Sequence, residues 1–231
     1  MKLIIEYVVF LVMLTLIQSC KKEADNTIRD IDGNAYTSVT IITQVWMVEN
    51  LRTTRYNNGD TIGTTNPATL DISPEVSSKY QWPYGGLEGS VAVYGRLYTW
   101  FAATDPRGIC PVGWHVPGMQ QWVALRYPYN IPSGTVIGSE LMETGTGHWN
   151  RSDITGTNET GFSAVPGGYR LPEGLFSGVT QIGKYWSSDE SAYKEYSIPY
   201  PIPITSDYLE TPSHDLEFKS TGFSIRCIKN N

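Results

Sequence analysis

The sequence predicts an α+β domain with many short antiparallel strands, two helices and long irregular loops. Its 22 Gly, 14 Pro, 15 Tyr and 7 Trp among 231 residues are typical of domains rich in strands and turns rather than of helical bundles. Turn signals recur along the chain, and two stretches carry the apolar spacing of a helix. About 210 residues follow the hydrophobic N-terminus, which is enough for one domain with a substantial core.

The N-terminal residues are predicted to be an export signal rather than part of the domain. A positive charge at Lys2 is followed by a mostly apolar run from Tyr7 to Ile17 and then by Cys20. A run of this length fits a signal peptide and is too short to span a bilayer. Residues 1–19 are therefore expected to be removed from the mature protein.

The end of this signal, Ile17-Gln18-Ser19-Cys20, resembles the lipobox of bacterial lipoproteins. That resemblance implies a diacylglycerol on the Cys20 thiol and hence a membrane as partner, because each buried methylene contributes about 0.8 kcal/mol. Residues 20–26 form a charged tether that partly resembles the surface-sorting signal of Bacteroidetes-type lipoproteins. The expected location is the outer membrane, facing the cell exterior, with residues 27–231 as a single domain. An ordinary secretory signal is the alternative.

Charge and motif content exclude some classes of partner and cofactor. The formal net charge is −6, and no basic run is present, which argues against nucleic acid as a partner. The pair Gly167-Gly168 resembles a phosphate-binding loop, but no Gly-Lys-Ser pattern or helix start follows it. We therefore expect no cofactor, and we expect the pair to mark a close backbone approach or a bulge.

Two cysteines remain once Cys20 is assigned to the lipid. Cys110 and Cys227 form an even pair in an exported chain, which indicates a disulfide. Two free thiols or a metal pair are the alternatives. Zinc would need two further ligands, and the three histidines show no metal-type spacing with the cysteines, so we expect no metal site.

The first part of the domain is predicted to contain two or three short strands between Ile28 and Leu51. The Asp32-Gly33 pair is a hairpin signal flanked by β-branched and aromatic residues. The run Asp30-Ile31-Asp32-Gly33-Asn34 also begins like a calcium-binding loop. Glycine stands at its fourth position instead of its sixth, and Ile41 stands at its twelfth position instead of an acid, so a turn is the better interpretation.

Two helices are predicted on either side of Cys110. The first runs from Val93 to Ala103, because its apolar residues recur at helical spacing. The second runs from Gly118 to Arg126, with Gly118 as the N-cap and Gln121 as its capping-box partner.

The C-terminal third is predicted to alternate between strands and one stiff loop. Between Ser197 and Thr205, prolines occupy every second position from Pro199 to Pro203, which favours a projecting loop over a strand within a sheet. From Phe223 to Cys227, apolar and polar residues alternate, as in a half-buried strand.

Several segments together resemble the Fibrobacter succinogenes major paralogous domain family. The resemblance implies a C-type-lectin-like fold, in which two helices pack on a small twisted antiparallel sheet with long irregular loops, and it implies the Cys110–Cys227 bridge. The chain departs from the family pattern between Ser191 and Leu216. The matching segments are Asp30–Asn34, Trp46–Leu51, Tyr94–Trp100, Cys110–Pro117, Gly161–Arg170, Tyr185–Ser188 and Gly222–Cys227.

The leading functional hypothesis is a surface-exposed binding or adhesin module that recognises a glycan or a protein. Aromatic faces bind sugar rings and protein surfaces well, although the same residues can fill a core. Calcium is not expected to take part, since neither Glu-Pro-Asn, Gln-Pro-Asp nor Trp-Asn-Asp occurs. A structural subunit of a surface or fimbrial assembly is the alternative. The candidate ligand-binding residues are Trp149, Tyr193, Tyr196, Tyr200 and Tyr208.

An enzyme is the third hypothesis, and we expect no catalytic residues. The related fold of formylglycine-generating enzymes uses a reactive cysteine pair, whereas both cysteines here are assigned to the bridge. The adjacent acids Asp189 and Glu190 are expected to be solvated rather than catalytic.

The position of the binding face is predicted relative to the stretch from Gly108 to Leu125. Trp114, His115 and Trp122 in this stretch are interpreted as core and corner residues because they adjoin the bridge and the second helix. Binding is expected on the opposite side of the sheet, in the loops after Trp186.

Overall fold

The computed structural model describes residues 27–125, 136–145, 147–150, 155–192, 194–202, 204–205 and 216–231. The predicted signal peptide, Cys20 and the tether lie outside the described residues. Among the described residues, no helix is both long enough and apolar enough to cross a membrane.

The described chain is α+β, with far more strand than helix. Its three α-helices are only four, four and six residues long, and two single 3-10 turns, Tyr84–Gly86 and Glu88–Ser90, accompany them. The structure therefore contains more sheet than the expected two helices on a small sheet. The helices are α1 (Val91–Tyr94), α2 (Trp100–Ala103) and α3 (Met119–Ala124). The strands are β1 (Ile28–Arg29), β2 (Ala35–Tyr36), β3 (Ser38–Ile41), β4 (Gln44–Met47), β5 (Gln81–Pro83), β6 (Arg96–Tyr98), β7 (Trp114–His115), β8 (Val136–Ile137), β9 (Gly167–Arg170), β10 (Phe176–Val179), β11 (Gly183–Glu190), β12 (Tyr196–Ile202), β13 (Ile204–Thr205), β14 (Glu217–Phe218) and β15 (Ile228–Lys229).

Two main sheets organise these strands. The larger has five strands in the order β10-β9-β11-β12-β14, and the second has four in the order β3-β4-β15-β7. Strand pairing is antiparallel except between β9 and β11, which meet in parallel at Gly168 and Gly183. Two-stranded pairs β1-β2, β5-β6 and β8-β13 complete the fold.

The first hairpins follow the sequence pattern closely. The Asp32-Gly33 turn joins β1 to β2, with φ of 82° at Gly33, as favoured by a glycine there. Asp30 accepts hydrogen bonds from the backbone N–H groups of Asp32 and Asn34, which confirms the turn. The region contains four strands, β1 to β4, rather than two or three.

The C-terminal segment, residues 221–230, links the two sheets. Gly222 and Arg170 of β9 exchange two backbone hydrogen bonds, and Ile228 pairs with both β4 and β7. Residues 221–228 are all buried. The prediction of a half-buried strand is therefore wrong, because this segment is covered on both sides and its polar residues are inside as well.

The disulfide between Cys110 and Cys227 is present, with 6.0 Å between the two Cα atoms. It joins positions 117 residues apart and ties the C-terminal segment to the loop that precedes β7. Both cysteines lie in the buried core, beside Tyr98 and Trp186.

The first predicted helix is wrong as a continuous element. Its residues form α1, then β6, then α2, because Gly95 ends α1 with φ of 71°. A Cβ at Gly95 would lie 2.6 Å from the Cβ of Asn50, so only glycine allows this approach. Arg96 N–H then bonds to the carbonyl of Leu51, and Leu97 enters a strand.

The second predicted helix is confirmed at its start. The Gln121 side chain accepts a hydrogen bond from the Gly118 backbone N–H at 2.8 Å, as the capping-box pattern predicts. The helix, α3, ends at Ala124, and Arg126 lies outside the described residues.

The prediction of a projecting loop from Ser197 to Thr205 is wrong. Strand β12 pairs with β11, with Pro199 opposite Trp186 and Pro201 opposite Lys184. Alternate residues of a strand direct their backbone N–H groups to the same edge, so these prolines remove donors from one edge only. On that edge, β14 pairs only with Tyr196 and Ser197, the first two residues of β12. No ladder hydrogen bond to β14 is therefore lost at Pro199 and Pro201.

Candidate functional site

The structure separates the predicted ligand-binding residues. Trp149 is 2% exposed, and its indole N–H donates to the Ala164 carbonyl at 2.9 Å, so its ring fills the core. Tyr196 is partly exposed in β12, and Tyr200 lies in the same strand opposite Tyr185. Tyr193 and Tyr208 lie outside the described residues.

Tyr196 has an aromatic partner that the sequence analysis missed. Its ring lies 4.7 Å from that of Phe218 between centroids, at an angle of 31°, because the two residues are opposite each other in β12 and β14. Phe218 is 44% exposed. Cross-strand aromatic pairs stabilise sheets. We call Tyr196 and Phe218 the aromatic pair; it presents ring surface at the edge of the five-stranded sheet. An isolated aromatic in a short polar stretch gives no periodic signal.

A buried lysine fixes the strand that carries Phe218. Lys219 is 1% exposed, and its Nζ donates to Glu190 at 2.7 Å while lying 4.2 Å from the Trp100 ring centroid. Its backbone N–H also donates to the Glu195 carbonyl. These three contacts of Lys219 hold β14 against the end of β11 and against α2. They therefore fix the position of Phe218, the neighbouring residue in the aromatic pair.

Asp189 and Glu190 have structural partners. Both are exposed, as expected for solvated acids, yet Glu190 holds Lys219 and Asp189 Oδ2 accepts a hydrogen bond from the Met119 backbone N–H at 2.6 Å. Met119 is the first residue of α3, so the Asp189 carboxylate caps this helix from a distant strand. A carboxylate at this end also suits the helix dipole.

We expect Asp189→Ala to lower the free energy of unfolding by about 1 kcal/mol, the usual effect of losing an N-terminal cap. Urea denaturation followed by tryptophan fluorescence measures this change. Asp189→Asn is the matched control, because its carbonyl oxygen can still accept the Met119 N–H. An unchanged midpoint for Asp189→Ala would contradict the capping role.

A cleft of about 400 Å³ adjoins the end of β11. Trp114 and His115 are half-buried and line it together with Ser188, whereas Trp122 is fully buried, as expected. His115 Nδ1 lies 2.7 Å from Asn230 Oδ1, which orients the ring. We call this the Trp114 cleft.

The Trp114 cleft changes the predicted location of the binding face. Ser188 N–H donates to the Pro117 carbonyl, and Asp189 caps α3. The stretch from Gly108 to Leu125 therefore lies beside the segment that follows Trp186, and the expectation that it lies on the opposite side is wrong. The cleft and the aromatic pair both adjoin the last residues of β11.

The acid in the Trp114 cleft is neutralised by its neighbours. The Asp105 side chain is 1% exposed and forms ion pairs with Arg107 at 2.8 Å and Lys79 at 2.7 Å. The Arg107 guanidinium, assisted by Lys79, holds the pKa of the Asp105 carboxyl well below its usual range. Across the described residues, no three His, Cys, Asp or Glu side chains are grouped so that they could hold a metal ion.

Comparison with known proteins identifies the family. A family model described as the Fibrobacter succinogenes major domain matches residues 39–229, from β3 to β15. Neither a curated protein sequence nor a solved structure matches the chain. Since the matched segment spans most of the chain, the protein belongs to the Fibrobacter succinogenes major domain family.

Proposed function

We propose that this protein is a lipid-anchored binding module of the cell envelope that recognises a glycan or a surface protein without calcium. The observation that carries the proposal is the aromatic pair, the partly exposed Tyr196 in β12 and the exposed Phe218 in β14, with β14 held in place by Lys219. Rings fixed in this way offer a flat apolar face at little entropic cost, which suits the face of a sugar ring or an apolar side chain.

The remainder of the proposal concerns location and fold. The lipobox resemblance at Cys20 supports a lipid anchor in the outer membrane, with the domain facing the cell exterior. We also infer that the α+β architecture is a C-type-lectin-like fold, which the long irregular segments between short strands and the bridge between Cys110 and Cys227 support. No catalytic step forms part of this function.

We expect Phe218→Ala to weaken ligand binding at least tenfold, or by about 1.4 kcal/mol, because the Ala side chain removes one ring of the aromatic pair. A glycan array and a pull-down from envelope extracts with residues 21–231 would identify the ligand, and titration calorimetry would give its affinity. Leu175→Ala is the matched control, since Leu175 is an exposed apolar residue elsewhere, 61% accessible. Equal binding by both variants would contradict a role for the aromatic pair.

A structural role in a surface assembly is the second candidate. The described strands β10 and β14 are the two edges of the five-stranded sheet, and exposed edges can accept a strand from another chain. Cross-linking in intact cells would distinguish the candidates. A ladder of cross-linked copies without glycan binding favours the assembly, and glycan binding by an uncross-linked protein favours the binding module.

A further inference from the structure

A second cleft, with a volume of about 440 Å³, lies away from the aromatic pair and the Trp114 cleft. It contains two arginines, two acids and neutral polar side chains, so its chemistry is that of a polar ligand site rather than an apolar one. We call it the Arg96 cleft. Its lining residues are Asp32, Asn34, Arg52, Thr54, Glu88, Val91, Ala92 and Arg96.

Arg96 is fixed by the fold on one side and faces a replaceable partner on the other. Arg96 is only 8% exposed. Its Nε donates to the Arg52 carbonyl at 3.1 Å, and its Nη1 donates to Gln81 Oε1 at 2.9 Å. The remaining partner is the Glu88 carboxylate, which contacts Nη1 at 3.2 Å and Nη2 at 2.5 Å. Two parallel contacts of this kind are the way in which arginine recognises a carboxylate.

Glu88 can leave Arg96 at little cost. Its side chain is 69% exposed, and it lies in a single 3-10 turn, Glu88–Ser90. The Glu88 carboxylate is therefore largely hydrated already, and its return to solvent costs little, whereas the buried Arg96 still needs an anion beside it. A ligand carboxylate can therefore replace that of Glu88 without loss of the Arg96 contacts to Arg52 and Gln81.

The second arginine of the cleft has unused hydrogen-bonding capacity. Arg52 Nε is shielded from solvent and has no hydrogen-bond acceptor among the described residues, while its guanidinium lies 4.9 Å from the Tyr36 ring centroid. The other acid, Asp32, has its own cation and donors. Its Oδ1 lies 3.4 Å from Arg55 Nε, and its Oδ2 accepts hydrogen bonds from the Thr54 backbone N–H and hydroxyl at 2.6 and 2.9 Å. When Glu88 moves away, the cleft keeps two cations and one satisfied acid.

We propose that the Arg96 cleft binds the carboxylate of an acidic saccharide, and that Glu88 occupies the carboxylate position in the free protein. The inference rests on the proposed function in one respect, namely that the ligand is a glycan. Asn34 and Thr54 line the same cleft. The Asn34 amide and the Thr54 hydroxyl already donate to Asp30 and Asp32, so their side-chain oxygens remain as acceptors for ring hydroxyls. Arg96 and Arg52 supply the charge selectivity.

Titration calorimetry with trigalacturonate tests this proposal, with its fully methyl-esterified form as the neutral counterpart. We expect residues 21–231 to bind the acid and not the ester. Arg52→Gln should weaken binding at least tenfold, and Glu88→Gln should strengthen it two- to fivefold, because the competing carboxylate is removed. Glu159→Gln, which makes the same charge change at an exposed position, should leave the affinity unchanged. Thermal unfolding of each variant checks that the fold is retained.

The direction of the Glu88→Gln effect decides the outcome. Unchanged or weaker binding by Glu88→Gln, equal binding of the ester, or no binding by the unaltered protein would overturn the proposal. Phe218→Ala separates this site from the proposed function. If Phe218→Ala alone abolishes trigalacturonate binding, the Arg96 cleft is overturned and the aromatic pair stands. If only the cleft variants change the affinity, the cleft is supported and the aromatic pair loses its assigned role for this ligand.

Discussion

Replacing Arg226 by Met should lower the free energy of unfolding by about 3–5 kcal/mol, because several buried acceptors lose their donor at once. Arg226 is fully buried. Its Nη1 donates to the Phe162 carbonyl at 2.6 Å and to the Met47 carbonyl at 3.3 Å, while Nε and Nη2 donate to Asn50 Oδ1 at 3.1 and 2.6 Å. Met fills a similar volume but satisfies none of these oxygens.

The planar guanidinium is specifically required at this position. Burial lowers the pKa of Arg226 from its usual value, and Tyr185 and Glu49 oppose this shift. The guanidinium also lies 4.4 Å from the Phe162 ring centroid. Arg226→Lys should therefore recover only part of the loss, because one ammonium group cannot reach three separated acceptors and stack on a ring at the same time.

Urea denaturation followed by tryptophan fluorescence would measure both Arg226 variants. Lys229→Met, at an exposed cationic residue, is the matched control and should change the free energy of unfolding by less than about 0.5 kcal/mol. A loss below about 1 kcal/mol for Arg226→Met would mean that the buried acceptors find other donors, and would contradict the structural role of the guanidinium.

Arg226 also shows what alternation in a sequence leaves out. The alternation of apolar and polar residues from Phe223 to Cys227 correctly places the apolar side chains inside, but it assigns the polar ones to solvent. The burial of Arg226 depends on two carbonyls and one amide from residues 64 to 179 positions away. A local pattern contains no information about such distant acceptors. The burial of the polar face of this segment could therefore not be predicted from the sequence.

The same distinction explains which elements the sequence predicts well. The Asp32-Gly33 turn and the start of α3 depend on neighbouring residues, and both are confirmed. The prediction of one continuous helix up to Ala103 is wrong, although the apolar residues do recur at helical spacing. Gly95 adopts a positive φ where it packs against Asn50, and this contact joins separate parts of the chain.

The candidate site is the least predictable part for the same reason. Tyr196 could be named from sequence as an aromatic in a loop-rich region, but its partner Phe218 is opposite it only because β12 pairs with β14. Asp189 caps a helix that begins 70 residues earlier in the chain. Each feature joins residues from separate segments, so its signal lies in the tertiary structure alone.

Removal of the Cys110–Cys227 bridge should lower the free energy of unfolding by about 5 kcal/mol. The value follows from the chain-entropy model for a closed loop of 117 residues, in which the bridge acts by restricting the unfolded chain. The loop encloses α3, β9, β11 and β12, so most of the domain becomes free in the unfolded state.

The double variant Cys110→Ala, Cys227→Ala is the suitable test, because both sulfur atoms belong to residues at most 3% exposed and a reductant reaches them only after unfolding. Urea midpoints of the variant and of the oxidised protein give the difference, and dithiothreitol should shift the midpoint of the unaltered protein only. A difference below about 2 kcal/mol would contradict the entropic estimate. The C-terminal segment, which joins both sheets through backbone hydrogen bonds, would then hold its place without covalent help.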